Sequence, residues 1–429
     1  MLHRRDFIRR AAVAATLLGV PMARAERVLS DQSEPLPSRD LLASDPPRYW
    51  ALLRRQWLLA ADHPNLNCGS VGCSPLPVLH AMIDHILSAE EFREAPYPWF
   101  GYDENTRLQS VCEALAGYLH CKTDELALVR NATEANNIVV NGLDIKPGEE
   151  VLMTDQEHPG GHCPLDQKVA RFGIKLNTVE IPKPPSSAAE IVERFEKAIT
   201  PKTRLIFFSH ITTATGVILP AKEICALARS RGILTHIDGA HAIGQIPLDM
   251  HDIGCDFYGT SPHKWLMAPK GTGTLYIREE RLKDLWVNIA TANWNNYDMK
   301  AYRFSWIGTS NLSVMVGLKA ALDFHQMIGP DVVFARIHEL AKQVRERVAC
   351  YPQLKIVNAS ADQFYGGMVC FEPDKTKWSG DLKKVVDGCA ARNIRIAGGP
   401  DHFRISTHIF TQPTELDLFY DALATGMAS

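Results

Sequence analysis

Seven short apolar runs recur between residues 125 and 277: Glu125–Arg130, Val151–Thr154, Leu176–Ile181, Arg204–Ser209, Ile233–Ile237, Asp256–Thr260 and Thr274–Ile277. Between them lie segments with helical periodicity, among them Ala132–Leu143 and Pro220–Arg231. Apolar runs this short, separated by helices, read as strands buried on both faces. The pattern predicts an α/β fold with a mostly parallel seven-stranded sheet and helices on both faces. After residue 310 the pattern changes to long helical stretches at 312–327 and 331–350, then short strands alternating with helices at 380–392 and 413–427. That predicts a smaller C-terminal α+β domain.

The chain of 429 residues carries 46 basic and 49 acidic residues, a formal charge of −3, and no apolar run of spanning length. A basic nucleic-acid binder and a transmembrane protein are both excluded as expectations. The first 25 residues differ in kind. His3-Arg4-Arg5-Asp6-Phe7-Ile8-Arg9 is followed by an apolar stretch from Ala11 to Val20 and by Ala23-Arg24-Ala25. A charged start, a short apolar centre and a small-residue end make a secretory leader. Its paired arginines resemble a twin-arginine (Tat) export signal read by the Tat translocase. Cleavage near Ala25 would remove five arginines and one aspartate, leaving 41 basic against 48 acidic residues, or −7. The expectation is a periplasmic protein without a membrane anchor. The expected division is a leader at 1–25, an N-terminal arm and segment at 26–75, a large domain at 76–310 and a small domain at 311–429.

Ten cysteines are scattered without a C-x-x-C pair or zinc-site spacing, so no metal is expected and buried free thiols are the simplest reading.

Polar residues gather where strands end, which is where ligands bind in an open α/β sheet. Arg130-Asn131-Ala132-Thr133 leads into a helix whose free N–H groups suit a phosphate, although Asn and Thr are also ordinary helix caps. His158 lies in a loop after the second strand and suits either a stacked ring or a plain hydrogen-bonded turn. Asp238 ends the fifth strand, where burial demands a cation or a capping role. The strongest cluster is Ser261-Pro262-His263-Lys264 before the Gly-rich turn 269–273. A lysine held there is desolvated, and a desolvated lysine forms Schiff bases. A Schiff-base lysine, an acid for a ring nitrogen and phosphate donors are what pyridoxal phosphate requires.

Three segments, SHITTATGVILP (209–220), IDGAHAIG (237–244) and DFYGTSPHKWLMAPKGTGTLYIRE (256–279), resemble the class V aminotransferase family of fold-type-I pyridoxal phosphate enzymes. LNCGSVGCSP (66–75), NATEANN (131–137), QEHPGG (156–161), WIGTSN (306–311) and FRISTHIFTQPTELD (403–417) extend the resemblance over nearly the whole mature chain. The family includes cysteine desulfurases and isopenicillin-N-epimerase-like proteins. The resemblance implies that Lys264 carries the cofactor, Asp238 pairs with its ring nitrogen, His158 stacks on its face and His241 approaches its phenolic oxygen. It further implies that Ala132, Thr133, Ser261 and His263 hold the phosphate, with Thr309 from a second subunit of a homodimer. Arg404 falls where a substrate carboxylate is anchored, and Asn67 is expected on the substrate side.

Thr213 departs from the asparagine common in the family. Between Arg395 and Arg404 there is no cysteine to accept sulfur, and the nearest, Cys389, falls in a predicted helix, which disfavours a desulfurase. Length, export signal and family together resemble those of exported siderophore-maturation enzymes, and this resemblance implies a small-molecule or short-peptide substrate: the glutamate of a pyoverdine siderophore precursor, converted to succinamide by oxidative decarboxylation. The alternatives are an amino-acid epimerase or aminotransferase, a C–S lyase, and a non-catalytic ligand-binding protein. The last has no use for both Lys264 and Asp238.

Overall fold

The computed structural model describes residues 34–91, 107–358, 361–380 and 382–428; the leader read at 1–25 lies outside them. Among the described residues four helices come first: α1 (Arg39–Ser44), α2 (Pro46–Leu53), α3 (Leu76–Glu90) and α4 (Arg107–Leu119). The large sheet then alternates with helices: β1 (Leu126–Val129), α5 (Ala132–Gly142), β2 (Glu150–Thr154), α6 (Pro159–Phe172), β3 (Lys175–Val179), α7 (Ala188–Ala198), β4 (Thr203–Ser209), α8 (Ala221–Ser230), β5 (Leu234–Asp238), α9 (Met250–Ile253), β6 (Phe257–Thr260) and β7 (Gly273–Ile277). The strand order is β1-β7-β6-β5-β4-β2-β3. The β2, β3, β4, β5 and β6 pairings are parallel, and β7 runs antiparallel to both β1 and β6. The expected α/β architecture is therefore present, with one reversed strand.

Alternation along each strand divides the core into two layers. Leu126, Leu128, Leu152, Ile206, Phe208, Ile237, Tyr258 and Tyr276 enter the cluster shared with α4, α7 and α8. Ala127, Val129, Val151, Leu205, Phe207, Phe257, Leu275 and Ile277 enter the other, shared with α5 and α6. Both layers exclude water, which explains why the central strands are mostly apolar.

The two helices that face the strand ends begin where local chemistry provides a cap. Asn131 accepts from the Glu134 N–H at 2.9 Å to start α5, and Pro159 occupies the first turn of α6 behind His158. Beyond the large sheet come α10 (Ser313–Ile328), α11 (Pro330–Ala349), β8 (Leu354–Ile356), β9 (Met368–Pro373), α12 (Lys383–Ala391), β10 (Ala397–Gly398), β11 (Phe403–Ser406) and α13 (Pro413–Met427). The small sheet is antiparallel, in the order β10-β11-β9-β8. Its third core cluster joins α11, α12 and α13. The segment 65–67 bridges to Arg395 and Ser406, so residues from the N-terminal part lie against β11.

All ten cysteines are free thiols. Among the described residues no helix is long and apolar enough to cross a membrane.

Candidate active site

A cavity of about 620 Å³ opens at the carboxyl ends of β4, β5 and β6. Ala132, Thr133, His158, Asp238, His241, Ser261, His263, Lys264 and Arg404 all line it, so residues spread over 272 positions converge at one place. Thr309 is exposed and stands outside this chain's cavity.

Lys264 follows β6 in a tight turn whose backbone is held from the N-terminal segment: the Gly72 N–H donates to the His263 carbonyl at 3.0 Å. A Cβ on Gly72 would stand 2.0 Å from the Lys264 carbonyl oxygen, so only glycine permits this approach. Burial lowers the Lys264 amine to about 8 against the opposing pull of Asp238. A substantial neutral fraction near neutral pH makes it a nucleophile. Its Nζ lies 3.3 Å from His241 Nε2, which in turn lies 3.2 Å from Thr213 Oγ1. Burial first, then Lys264, hold His241 well below the usual imidazole range.

Asp238 is a buried carboxylate that makes no ion pair among the described residues. Its Oδ1 accepts from the Ala240 N–H at 2.9 Å, and its Oδ2 accepts from Asn136 Nδ2 at 2.8 Å. Such a group is costly unless a cation completes it, and a protonated pyridine nitrogen is suited to that place. Gly239 allows the strand end to pass close to Tyr258, whose ring carbon would stand 1.9 Å from an added Cβ. His158, exposed to the cavity, accepts from the Gly160 N–H through Nδ1 at 3.0 Å. Burial and the Lys264 charge lower its pKa, which favours a neutral ring.

At the other end, α5 and α6 both begin at the cavity wall, which Ala132, Thr133, His158 and Pro159 line. Helix N-termini attract anions. The Ala132 N–H donates to Ser261 Oγ at 3.0 Å, and His263 Nδ1 lies 3.1 Å from the Thr272 carbonyl. Gly160 lets the two helix starts pack, since its Cβ would stand 2.4 Å from Thr133 Oγ1. An amine, a bare carboxylate and a phosphate-sized polar end fit pyridoxal phosphate.

Arg404, on β11, is 6% exposed and among the described residues has no carboxylate partner. Its Nη2 donates to Ser70 Oγ at 2.7 Å and to Asn67 Oδ1 at 3.1 Å, its Nη1 reaches the Thr213 carbonyl at 3.4 Å, and its Nε has no partner. A buried guanidinium held by neutral groups has charge to spare for an incoming carboxylate. Asn67 itself does not line the cavity. Its amide is occupied by the Ile396 carbonyl and by Arg404, so it orients the arginine rather than facing a substrate.

Three residues at the site were not singled out from the sequence. Glu157 lines the cavity and accepts from Thr154 Oγ1, Ser209 N–H and Ser209 Oγ, while burial raises its carboxyl to about 7. It lies within QEHPGG, where His158 drew the attention. Ser70 meets Arg404 only through the bridge between segment 65–67 and β11. Asn136 stands one turn after Ala132 on α5, so helical spacing could have placed it on the sheet side.

The family model for aminotransferase class-V matches residues 100–413. Over 393 residues the chain is 31% identical to isopenicillin N epimerase of Streptomyces clavuligerus, covering 87% of this chain and 97% of that protein. It is 33% identical over 397 residues to isopenicillin N epimerase of Amycolatopsis lactamdurans, covering 87% and 98%. A C-DES variant with glycine covalently linked to its PLP cofactor superposes with a TM-score of 0.74 at 26% identity, over 86% of this chain and 98% of that one. The cystine C–S lyase C-DES with its product cysteine persulfide gives 0.73 at 26%, over 85% and 98%.

Proposed function

Because the chain belongs to the class V aminotransferase family and is a pyridoxal-phosphate-dependent enzyme, we propose that it acts at Cα of an amino-acid group whose carboxylate docks on Arg404. The observation that carries this reading is Arg404 itself: a buried cation on the cavity wall, fixed by Asn67 and Ser70 and lacking an acidic partner among the described residues. When bound, pyridoxal phosphate supplies the electron sink that lets one bond at Cα break. Lys264, held partly neutral, is the amine that binds the cofactor and can move a proton at Cα. Asp238 holds the proton on the ring nitrogen by charge. His158 covers one face of the site, and His241 and Thr213 offer hydrogen bonds beside Lys264.

The finer reading is that the substrate is the glutamate of a pyoverdine siderophore precursor, met after Tat export to the periplasm. Conversion to succinamide requires a free α-amine and α-carboxylate, with the glutamate joined through its side chain. The α-carboxylate leaves as carbon dioxide and Cα becomes an amide carbon. Dioxygen is the oxidant, reduced to the amide oxygen and to water. The cavity volume, with exposed His402 and half-buried Ala397 in the lining, suits an amino acid carried on a larger body. The paired arginines of the leader support export, and exposed Trp286, Ile289, Trp294 and Tyr297 offer an apolar surface for a homodimer.

Mass spectrometry of the glutamate-bearing precursor after incubation in air with the cofactor-loaded enzyme tests this reading. The amide product and its loss without oxygen are expected. An unchanged mass overturns it. Epimerisation without mass change, read on a chiral column, would favour a second activity, which the isopenicillin N epimerase relatives support. Among the described residues no cysteine lines the cavity, and Cys389 is buried in α12, which supports neither sulfur acceptance nor a desulfurase.

A further inference from the structure

Behind Asp238 lies a second polar pair, His236 and Asn136, fully buried between β5 and α5. The strand Leu234–Asp238 alternates, so His236 and Asp238 share one face, the face that packs on α5. The His236 ring is flanked by Phe207, with ring centroids 5.3 Å apart, and by Phe257 at 6.3 Å. In so apolar a place a polar ring is expensive unless it has a task.

The hydrogen bonds of this pair have only one consistent polarity. Asn136 Nδ2 lies 2.8 Å from Asp238 Oδ2 and 3.3 Å from the Gly160 carbonyl. The Gly160 carbonyl can only accept, and the Asp238 oxygen meets the same amide nitrogen, so the Asn136 NH₂ must face them. Its Oδ1 therefore faces His236 Nε2, at 2.9 Å. An amide oxygen only accepts, so Nε2 must carry the proton. The other ring nitrogen, Nδ1, makes no hydrogen bond of good geometry, and burial lowers the imidazole to about 4 against the opposing pull of Asp238 and the Phe257 backbone, in keeping with a neutral Nε2–H ring.

We infer that His236 and Asn136 are positioning residues that hold the Asp238 carboxylate turned toward the ring nitrogen of the cofactor. His236 dictates which way the Asn136 amide points. Asn136 then donates to the Asp238 oxygen that Ala240 does not reach. Without His236 the amide is free to turn its oxygen toward the carboxylate, and acceptor would face acceptor. The inference concerns the cofactor and stands whichever substrate the enzyme takes.

Binding of pyridoxal phosphate and of its 1-deaza analogue, whose ring lacks the nitrogen, to apoenzyme tests it. His236→Phe should bind pyridoxal phosphate about fivefold to tenfold more weakly, the worth of one such hydrogen bond. It should bind the deaza analogue as the wild type does. His236→Gln, whose amide N–H can donate to the same oxygen, should restore wild-type affinity. Equal loss toward both ligands, or no loss toward either, overturns the inference. Asn136→Leu in the same assay gives the same readings if His236→Phe does not fold. Nitrogen-15 NMR of histidine-labelled wild-type enzyme gives an independent reading: an Nε2–H tautomer for the resonance missing in His236→Gln is expected, and an Nδ1–H tautomer overturns the assignment.

Discussion

The indole Nε1 of Trp265 lies 3.3 Å from Nδ1 of His241. An indole N–H only donates, so Nδ1 must accept, and the neutral imidazole carries its proton on Nε2. That nitrogen faces Lys264 Nζ and Thr213 Oγ1. The residue beside the reactive lysine therefore sets the tautomer of the histidine that meets it, and a donor aimed at the amine favours its neutral form.

Trp265→Phe should consequently raise the amine. Loss of one neutral hydrogen bond is worth about 1 kcal/mol, or somewhat less than one pH unit. The rate at which apoenzyme takes up pyridoxal phosphate, followed by absorbance across pH 6–10, reports the midpoint. An unmoved midpoint would show that the tautomer has no bearing on Lys264.

In the wild type the same profile should rise through about pH 8, where burial places the Lys264 amine. Only the neutral amine attacks an aldehyde, so the rate should fall about tenfold per unit well below that value and level off above it. Lys264→Ala should still bind the cofactor but lose its covalent attachment, read by borohydride reduction and intact mass.

Arg404→Met should weaken carboxylate substrates by about one to two powers of ten in KM, the range of a charge-assisted hydrogen bond. A primary-amide analogue of the substrate should show a much smaller difference between the two enzymes. Equal losses for acid and amide would place the carboxylate elsewhere.

Glu157 has a folded-state carboxyl near 7, raised by burial above its ordinary value. A raised acid contributes stability that is complete below the ordinary carboxylate range and is lost as pH rises through about 7. The apoenzyme should thus lose up to about 3 kcal/mol from this group between pH 4.5 and 7.5. Glu157→Gln keeps an oxygen for Thr154 and the Ser209 N–H, and the Ser209 hydroxyl can turn to accept from the new amide. Urea unfolding of both proteins at the two pH values should show the decline flattened in the variant. A parallel decline would remove Glu157 from the account.

Much of this protein is local and was therefore legible in the sequence. Strand positions follow from runs such as Arg204–Ser209 and Ile233–Ile237, because burial on both faces favours apolar residues along most of each strand. Lys264 and Asp238 could be read because Asp238 ends a strand and Lys264 follows one, where the backbone leaves the sheet and a side chain meets the ligand. The reversed β7 was not legible, since an apolar strand has the same composition in either direction. Nor were the partners that decide what each side chain does. Asn67 and Arg404 are 337 residues apart, and His236 and Asn136 are 100 apart. Sequence determined which residues stand at the strand ends, through periodicity and the cost of burying polar groups. Tertiary structure decided that Asn67 serves the arginine instead of the substrate, which nitrogen of His241 and His236 bears the proton, and which carboxylates are left without a cation. Those are properties of pairs, set by hydrogen bonds whose two ends meet only once the sheet and the small domain have closed around the cavity.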